Sequence, residues 1–190
     1  MKEITRAAEI RAIDSDKRTA QFIISNESVD RHGTVFKMDG WDLETYERNP
    51  IVCYNHASGD TNPDTIIGTS RVFVEGSNLI GEVTFEDEGD NKIADRVWKK
   101  INKGVLKMAS VGARVHDYRL GNTKEGEDSG TIYFTRQELL EWSVVSVGSN
   151  PEAFKRGIEE IREELTVPET MDDATKRKIA TWKVKKVTSK

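Results

Sequence analysis

Short apolar runs bounded by turn-forming residues are the feature that most constrains the fold of this chain. Two stretches, Glu9 to Ser25 and Ile66 to Phe85, each place two such runs on either side of a polar turn, a pattern that predicts β-hairpins. Further apolar runs begin at Ile51, Val105, Thr131 and Leu140, and Val29 to Gly40 is predicted as a polar connection. Short runs with β-branched residues favour strands, because buried helices need about ten or more residues. The sequence therefore predicts a mainly β protein.

Helical patterns are few. Asp90 to Lys103 places its apolar side chains on one face, with Asp90 as the predicted N-cap and Gly104 after the last turn. Trp41 to Arg48 is a shorter candidate that must end before Pro50, because the residue before a proline is disfavoured in a helix. A last amphipathic helix is expected near residues 158–165. These helices are inserted among strands and do not alternate with them, which predicts an α+β fold, mainly β.

Composition indicates one hydrophobic core, and either a reducing compartment or a fold that needs no disulfide. With 190 residues and 36% hydrophobic content, the chain can bury a single core. The lone Cys53 cannot form an internal disulfide. No apolar stretch approaches the roughly 18 residues of a membrane span, and the first residues do not resemble a signal peptide. We therefore expect a cytosolic protein with no membrane partner. The net charge of -4 argues against a chain-wide nucleic-acid-binding surface and against nucleic acid as the partner.

The chain changes character after Pro168. Residues 1–167 are the predicted domain, and residues 168–190 are a basic C-terminal tail. From Ala174 to Lys190 there are seven Lys or Arg residues and no acidic residue. Such a run is typical of a solvated, flexible extension. The alternative is a short basic arm for an acidic partner, which Trp182 among the lysines favours.

Three polar residues in or beside the apolar runs have the chemical types of a hydrolytic triad: His56, Ser110 and Glu141. A serine hydroxyl becomes a good nucleophile when a neutral imidazole takes its proton, and a carboxylate can hold the tautomer of that imidazole. Each residue also has a plain structural alternative. His56 could be structural, Ser110 could be a small core residue bonded to a carbonyl, and Glu141 could face solvent, with Ser143 continuing that alternation.

Two other hydrolase classes are disfavoured. The chain contains no G-x-S-x-G elbow, which argues against an α/β-hydrolase. Its histidines, His32, His56 and His116, lack H-E-x-x-H or clustered spacing, which argues against a zinc hydrolase. The sequence therefore predicts no metal site and no cofactor.

Several short motifs follow one another between about Ser25 and Phe154. They are Asp30-Arg31-His32-Gly33, Gly40-Trp41-Asp42-Leu43, Asn49-Pro50-Ile51-Val52 leading to His56, Ile67-Gly68, Gly104-Val105-Leu106 leading to Ser110-Val111-Gly112, and Leu140-Glu141-Trp142-Ser143-Val144-Val145 followed by Asn150-Pro151-Glu152-Ala153. In this order and spacing, the motifs resemble those of the tailed-phage prohead maturation proteases.

The resemblance implies a serine endopeptidase that cleaves scaffold or capsid-precursor segments, and itself. The implied place of action is the inside of the immature prohead, in the cytoplasm of the host bacterium, with capsid precursor and scaffold protein as partners. The tail from residue 168 would then be a candidate for self-cleavage. Whether the protein forms a homo-oligomer is left open. The implied fold is similar to that of the herpesvirus assembly protease: an antiparallel β-barrel ringed by a few helices, with the His and Ser on barrel strands.

The resemblance also implies the roles of the site residues. Ser110 is expected to be the nucleophile, His56 the general base and Glu141 the acid that orients His56. Backbone N–H groups near Gly148 or beside Ser110 are the expected oxyanion donors. The alternative for this chain is a non-catalytic capsid-assembly or scaffold-binding protein with the same fold.

Two other residues are alternatives to Glu141 for the third triad role, which is to orient His56. The herpesvirus relatives use a second histidine there, and His116 is available in this chain. Even spacing along one strand, however, would place His116 about 20 Å from Ser110. Glu138 is the other substitute for Glu141.

Overall fold

The computed structural model of this protein describes residues 8–30 and 33–147. Strands are its main secondary structure. Within those ranges nine strands belong to one sheet. The strands are β1 (Ala8–Asp14), β2 (Thr19–Asn26), β3 (Thr34–Phe36), β4 (Trp41–Asp42), β5 (Ile51–Tyr54), β6 (Ile66–Glu75), β7 (Asn78–Phe85), β8 (Met108–Leu120) and β9 (Ile132–Val145). The helices are α1 (Glu44–Glu47) and α2 (Lys92–Asn102), with 3-10 turns at Met38–Gly40, Pro63–Thr65 and Thr123–Glu125.

The sheet is mixed. Its strand order is β3-β9-β5-β6-β7-β2-β1-β8, and β8 also pairs with β9 along most of its length. Strands β3, β4 and β5 run parallel to β9, so the sheet is not antiparallel throughout, as the implied antiparallel β-barrel would require. Parallel pairing needs a long crossover, and the whole segment from β6 to β8 connects β5 to β9.

Closure of the sheet into a barrel stays a prediction. Only two residue pairs, Ala8 with Ala109 and Glu9 with Met108, join β1 to β8. The coarser expectation, a mainly β protein with a few short helices, is what the structure shows.

Local sequence patterns account for the two hairpins and for β5. The hairpin predicted between Glu9 and Ser25 is β1–β2, and the one predicted between Ile66 and Phe85 is β6–β7. Both are antiparallel, and their turns lie where the polar residues were expected. The predicted strand at Ile51–Tyr54 is confirmed as β5.

Four predicted segments differ from the structure. The polar connection predicted from Val29 to Gly40 contains β3, and the helix predicted from Trp41 to Arg48 shrinks to α1 because Trp41 and Asp42 pair with β9. The two runs predicted at Thr131–Phe134 and Leu140–Val147 are parts of the continuous strand β9. Its polar middle is accommodated by partners: Gln137 Nε2, for example, donates to the Lys37 carbonyl at 2.7 Å.

Helix α2 confirms the predicted helix but not its predicted cap. Asn91, not Asp90, is the N-cap, and its Oδ1 accepts from the backbone N–H groups of Ile93 and Ala94 at 2.9 and 3.0 Å. The Nδ2 group of Asn91 donates to the carbonyls of Asp64 and Ile66. Asn91 therefore ties the start of α2 to the start of β6.

The indole of Trp142 anchors β9 in the core. Its ring lies 5.8 Å from that of Phe22, and a Cβ added at Gly81 would come within 2.9 Å of it. Because side chains alternate along a strand, Glu141 and Ser143 project to the opposite face. The other large side chains that are fully buried are Phe22, Phe134, Ile67, Leu79, Ile80, Ile101, Ile132, Leu139, Gln137, Val52 and Val83.

The C-terminal expectations lie outside the described residues. These are the helix near residues 158–165, the domain boundary at 167 and the basic tail at 168–190. All described residues belong to one unit, Met1–Phe154. No helix in the described ranges is long and apolar enough to cross a membrane.

Asn91→Ala should lower the free energy of unfolding by about 2–3 kcal/mol, because it removes a helix cap and takes a hydrogen-bond donor from the carbonyls of Asp64 and Ile66. Urea denaturation followed by tryptophan fluorescence measures this change. Asp90→Ala is the matched control, and its effect should stay within about 0.5 kcal/mol because Asp90 is exposed. A larger loss for Asp90→Ala than for Asn91→Ala would return the cap to the position that the sequence suggested.

Candidate functional site

A tight turn after β5 presents His56. The backbone N–H of Ala57 donates to the Tyr54 carbonyl at 3.3 Å, and the two central residues, Asn55 and His56, have φ values of +54° and +59°. Left-handed backbone costs an L-residue roughly 1–2 kcal/mol, although Asn and His tolerate it better than most. Hydrogen bonds to the end of β9 hold the turn. Asn55 N–H donates to the Val144 carbonyl, and Asn55 Oδ1 accepts from Ser146 N–H, both at 3.0 Å.

His56 and Glu141 are in direct contact. Nδ1 of His56 lies 2.6 Å from Oε1 of Glu141, and the two side chains are 34% and 10% exposed. An ionised carboxylate can only accept, so Nδ1 carries the proton of this bond. In the neutral imidazole, Nε2 then keeps a free lone pair. The contact thus leaves Nε2 able to accept a proton.

Ser143 completes the contacts of this pair. Its Oγ donates to Glu141 Oε2 at 2.7 Å and accepts from the backbone N–H of His56 at 3.1 Å. Sequence reasoning gave Ser143 no role in the site and named it only in the structural alternative for Glu141, an interpretation in which both residues face solvent. That interpretation is wrong, because Glu141 and Ser143 are both buried. The period-two spacing was nevertheless a usable signal, since it places both side chains on one face.

Gly112 provides the space that the Glu141 carboxylate fills. The two residues are cross-strand partners on β8 and β9. A Cβ added at Gly112 would overlap Oε1 of Glu141 and would lie 3.2 Å from its Cδ. The carboxylate therefore lies over β8, and the imidazole of His56 that is bonded to it lies on the side of that strand.

Ser110 lies on the same face of β8, two residues before Gly112. It is paired with Ser143, and paired residues of antiparallel strands project to one face. Positions two apart on a strand are separated by about 6.6 Å. Ser110 is half-buried, and its hydroxyl makes no hydrogen bond within residues 8–30 and 33–147. The structure therefore joins His56 to Glu141 directly and places Ser110 one strand away, without a direct bond between Ser110 and His56.

The two alternative third residues do not contact His56. Oε2 of Glu138 lies 3.0 Å from Nη1 of Arg114 and 3.5 Å from Nε2 of His116. Glu138 thus pairs with both Arg114 and His116, farther along β8 and β9. The expected oxyanion donor near Gly148 lies outside the described residues.

Cys53 approaches the site but is a poor nucleophile. It is the β5 partner of Ser143 and is fully buried. Burial, and to a smaller extent the charge of Glu141, raises the pKa of the Cys53 thiol to about 11. The thiolate is the reactive form of cysteine, so Cys53 is held in its unreactive form at neutral pH. In the part of the chain that the structure describes, no group of three or more His, Cys, Asp or Glu residues is arranged to hold a metal ion.

Comparisons with known proteins add one structural likeness. No protein-family model matches this chain, and no curated protein matches it. Among solved structures, the chain is similar to the capsid assembly protease gp21 of bacteriophage T4, at 17% sequence identity and a TM-score of 0.45. The match covers 70% of this chain and 82% of that chain. Similarity at this level transfers no residue roles, so the chemistry of the site follows from its own contacts.

Gly112→Ala should displace the Glu141 carboxylate and lower the free energy of unfolding by about 1–3 kcal/mol, because the new methyl has no room. Proton NMR reports the displacement directly: the His56 Nδ1–H resonance should be strongly deshielded in the parent and should shift upfield in the variant. The His56→Gln variant assigns that resonance.

Gly59→Ala is the matched control for Gly112→Ala. A Cβ at Gly59 meets nothing within 4 Å, so this change should be neutral or slightly stabilising. An unchanged resonance and unchanged stability in Gly112→Ala would show that the carboxylate does not depend on this space.

Proposed function

We propose that this chain is a serine endopeptidase that matures phage proheads by cutting scaffold and capsid-precursor segments, and itself. The observation that carries the proposal is the bonded pair of His56 and Glu141. The acceptor oxygen of this bond, Glu141 Oε1, lies over Gly112, which is two residues from Ser110 on the same face of β8. The order of sequence motifs, which resembles that of the prohead maturation proteases, supports the substrate class.

The first half-reaction is acylation of Ser110. As Ser110 Oγ forms a bond to the carbonyl carbon of the scissile peptide, Nε2 of His56 takes the hydroxyl proton, and the carbonyl oxygen becomes an oxyanion. When the C–N bond breaks, the imidazolium returns that proton to the leaving amine. The product is an acyl ester on Ser110 and a neutral His56.

Water completes the reaction by the same route. His56 takes a proton from water as its oxygen attacks the ester carbon, and then gives the proton back to Ser110 Oγ as the C–O bond breaks. Each half-reaction passes through an imidazolium. The Glu141 carboxylate stabilises that cation at 2.6 Å in a largely buried position, where salt screens it little.

The proposed setting follows from the substrate class. Capsid precursor and scaffold protein would be the partners, and the protease would act inside the immature prohead in the host cytoplasm. The basic tail beyond residue 168 is a candidate for self-cleavage.

Ser110→Ala should abolish covalent labelling by a fluorophosphonate probe, in which serine Oγ displaces fluoride from phosphorus. Loss of one hydroxyl removes the nucleophile and little packing, so the melting temperature should stay close to that of the parent. Intact-mass spectrometry measures both the adduct and any trimming of the chain. Trimming should also disappear in Ser110→Ala.

Ser77→Ala is the matched control, because Ser77 is an exposed serine in the β6–β7 turn. It should label and trim like the parent. Equal labelling of the parent and Ser110→Ala would remove Ser110 as the nucleophile. A parent that co-purifies with capsid precursor but neither labels nor cleaves it would instead be a non-catalytic assembly protein. That second candidate is favoured by the Ser110 hydroxyl, which makes no hydrogen bond to any described residue, although catalytic bonds often tighten only when substrate binds.

Glu141→Gln should slow the labelling rate by about 100-fold or more, because an amide cannot stabilise the imidazolium and can present the wrong group to Nδ1. The loss should be smaller than for Ser110→Ala. Stopped-time labelling followed by mass spectrometry gives the rate.

Glu138→Gln provides the matched control for Glu141→Gln. Its carboxylate bonds Arg114 and His116, so its labelling rate should stay within about twofold of the parental rate. If Glu138→Gln is the slower of the two variants, the third role belongs to Glu138.

A further inference from the structure

Ser143 is a buried hydroxyl that the reaction steps above do not use. We infer that Ser143 is a positioning residue for His56, acting both through the Glu141 carboxylate and through the His56 backbone. This inference rests on the proposed function. The observation behind it is that one hydroxyl with no exposed surface bonds both members of the His56–Glu141 pair.

The direction of each bond is fixed by the chemistry of its partner. A hydroxyl has one proton to donate and two lone pairs. The carboxylate of Glu141 can only accept, so the Ser143 proton points to Oε2. The backbone N–H of His56 can only donate, so it points to a lone pair of Ser143. Together with the bond between Nδ1 and Oε1, these contacts form a closed ring of hydrogen bonds.

The ring of hydrogen bonds restrains two motions that would separate His56 from Ser110. With Oε2 held by Ser143, the carboxylate of Glu141 cannot rotate Oε1 away from Nδ1. With its N–H held, the left-handed backbone of His56 is tied to β9 at the residue itself, beside the bonds that Asn55 makes. Displacement of a reacting group by about 1 Å can cost 100-fold in rate. Both restraints therefore act on the placement of Nε2.

No other described group is placed to replace the Ser143 hydroxyl. Its partners on the neighbouring strands are Cys53 on β5 and Ser110 on β8. Cys53 is a weak donor, and Ser110 is the proposed nucleophile. Removing the hydroxyl would leave Glu141 Oε2 and the His56 N–H without their bonds to Ser143.

Ser143→Ala should slow fluorophosphonate labelling about 10- to 100-fold and should shift the deshielded Nδ1–H resonance of His56 upfield. Ser143→Thr keeps a hydroxyl and should recover most of the rate and the resonance. Melting temperatures establish whether each variant is folded. If Ser143→Thr does not fold, the comparison of Ser143→Ala with the control variant tests the positioning role by itself.

Ser70→Ala is the matched control, because it removes a half-buried hydroxyl that is hydrogen-bonded to the same strand. Ser70 Oγ accepts from Trp142 Nε1 at 2.8 Å, on the face of β9 opposite Glu141. It should reduce stability but leave the labelling rate and the resonance at parental values. Equal slowing in Ser70→Ala and Ser143→Ala, or a parental rate in a folded Ser143→Ala, would overturn the positioning role.

The NMR signature separates this inference from the proposed function. If the parent does not label at all, the proposed function fails. The Nδ1–H resonance still tests Ser143: its loss in Ser143→Ala with retention in Ser70→Ala supports the positioning role, and its persistence in both overturns it.

Discussion

The hydrogen bond between His56 Nδ1 and Glu141 Oε1 is the interaction on which the candidate site depends. It requires left-handed backbone at His56, a residue without a side chain at Gly112 and a carboxylate held in a nearly buried position. Each requirement is costly in isolation, since left-handed backbone, a strand glycine and a buried charge all destabilise a fold. Their meeting at one point is the strongest sign that the site has a chemical role.

Strand pairing brings the parts of the site together from distant parts of the sequence. Parallel pairing of β5 with β9 sets the turn that carries His56 beside Ser143, and antiparallel pairing of β8 with β9 sets Ser110 and Gly112 on the other side. Trp142 keeps β9 oriented by filling the core between Phe22 and Gly81. A change in the register of β9 by one residue would move Glu141 to the core face.

Sequence patterns predicted the local structure and the candidate residues, because both leave local signals. The hairpins, β5 and α2 follow from alternation, turn residues and helical periodicity, and His56, Ser110 and Glu141 stand out as polar residues in or beside apolar runs. The parallel pairing of β5 with β9, the cap at Asn91 and the role of Ser143 depend on partners far away in sequence. No local pattern contains that information. The continuity of β9 was missed for the same reason, since Gln137 is tolerated in a strand through its bond to the Lys37 carbonyl.

The tautomer of His56 tests the central claim most directly. Long-range proton–nitrogen correlation spectra, recorded at a pH where the ring carries a single proton, identify which ring nitrogen carries that proton. The expected result is a proton on Nδ1, bonded to Glu141, and a free lone pair on Nε2, available to Ser110. A proton on Nε2 with Nδ1 unprotonated would contradict it, because the ring could then neither donate to the carboxylate nor accept the proton of the serine.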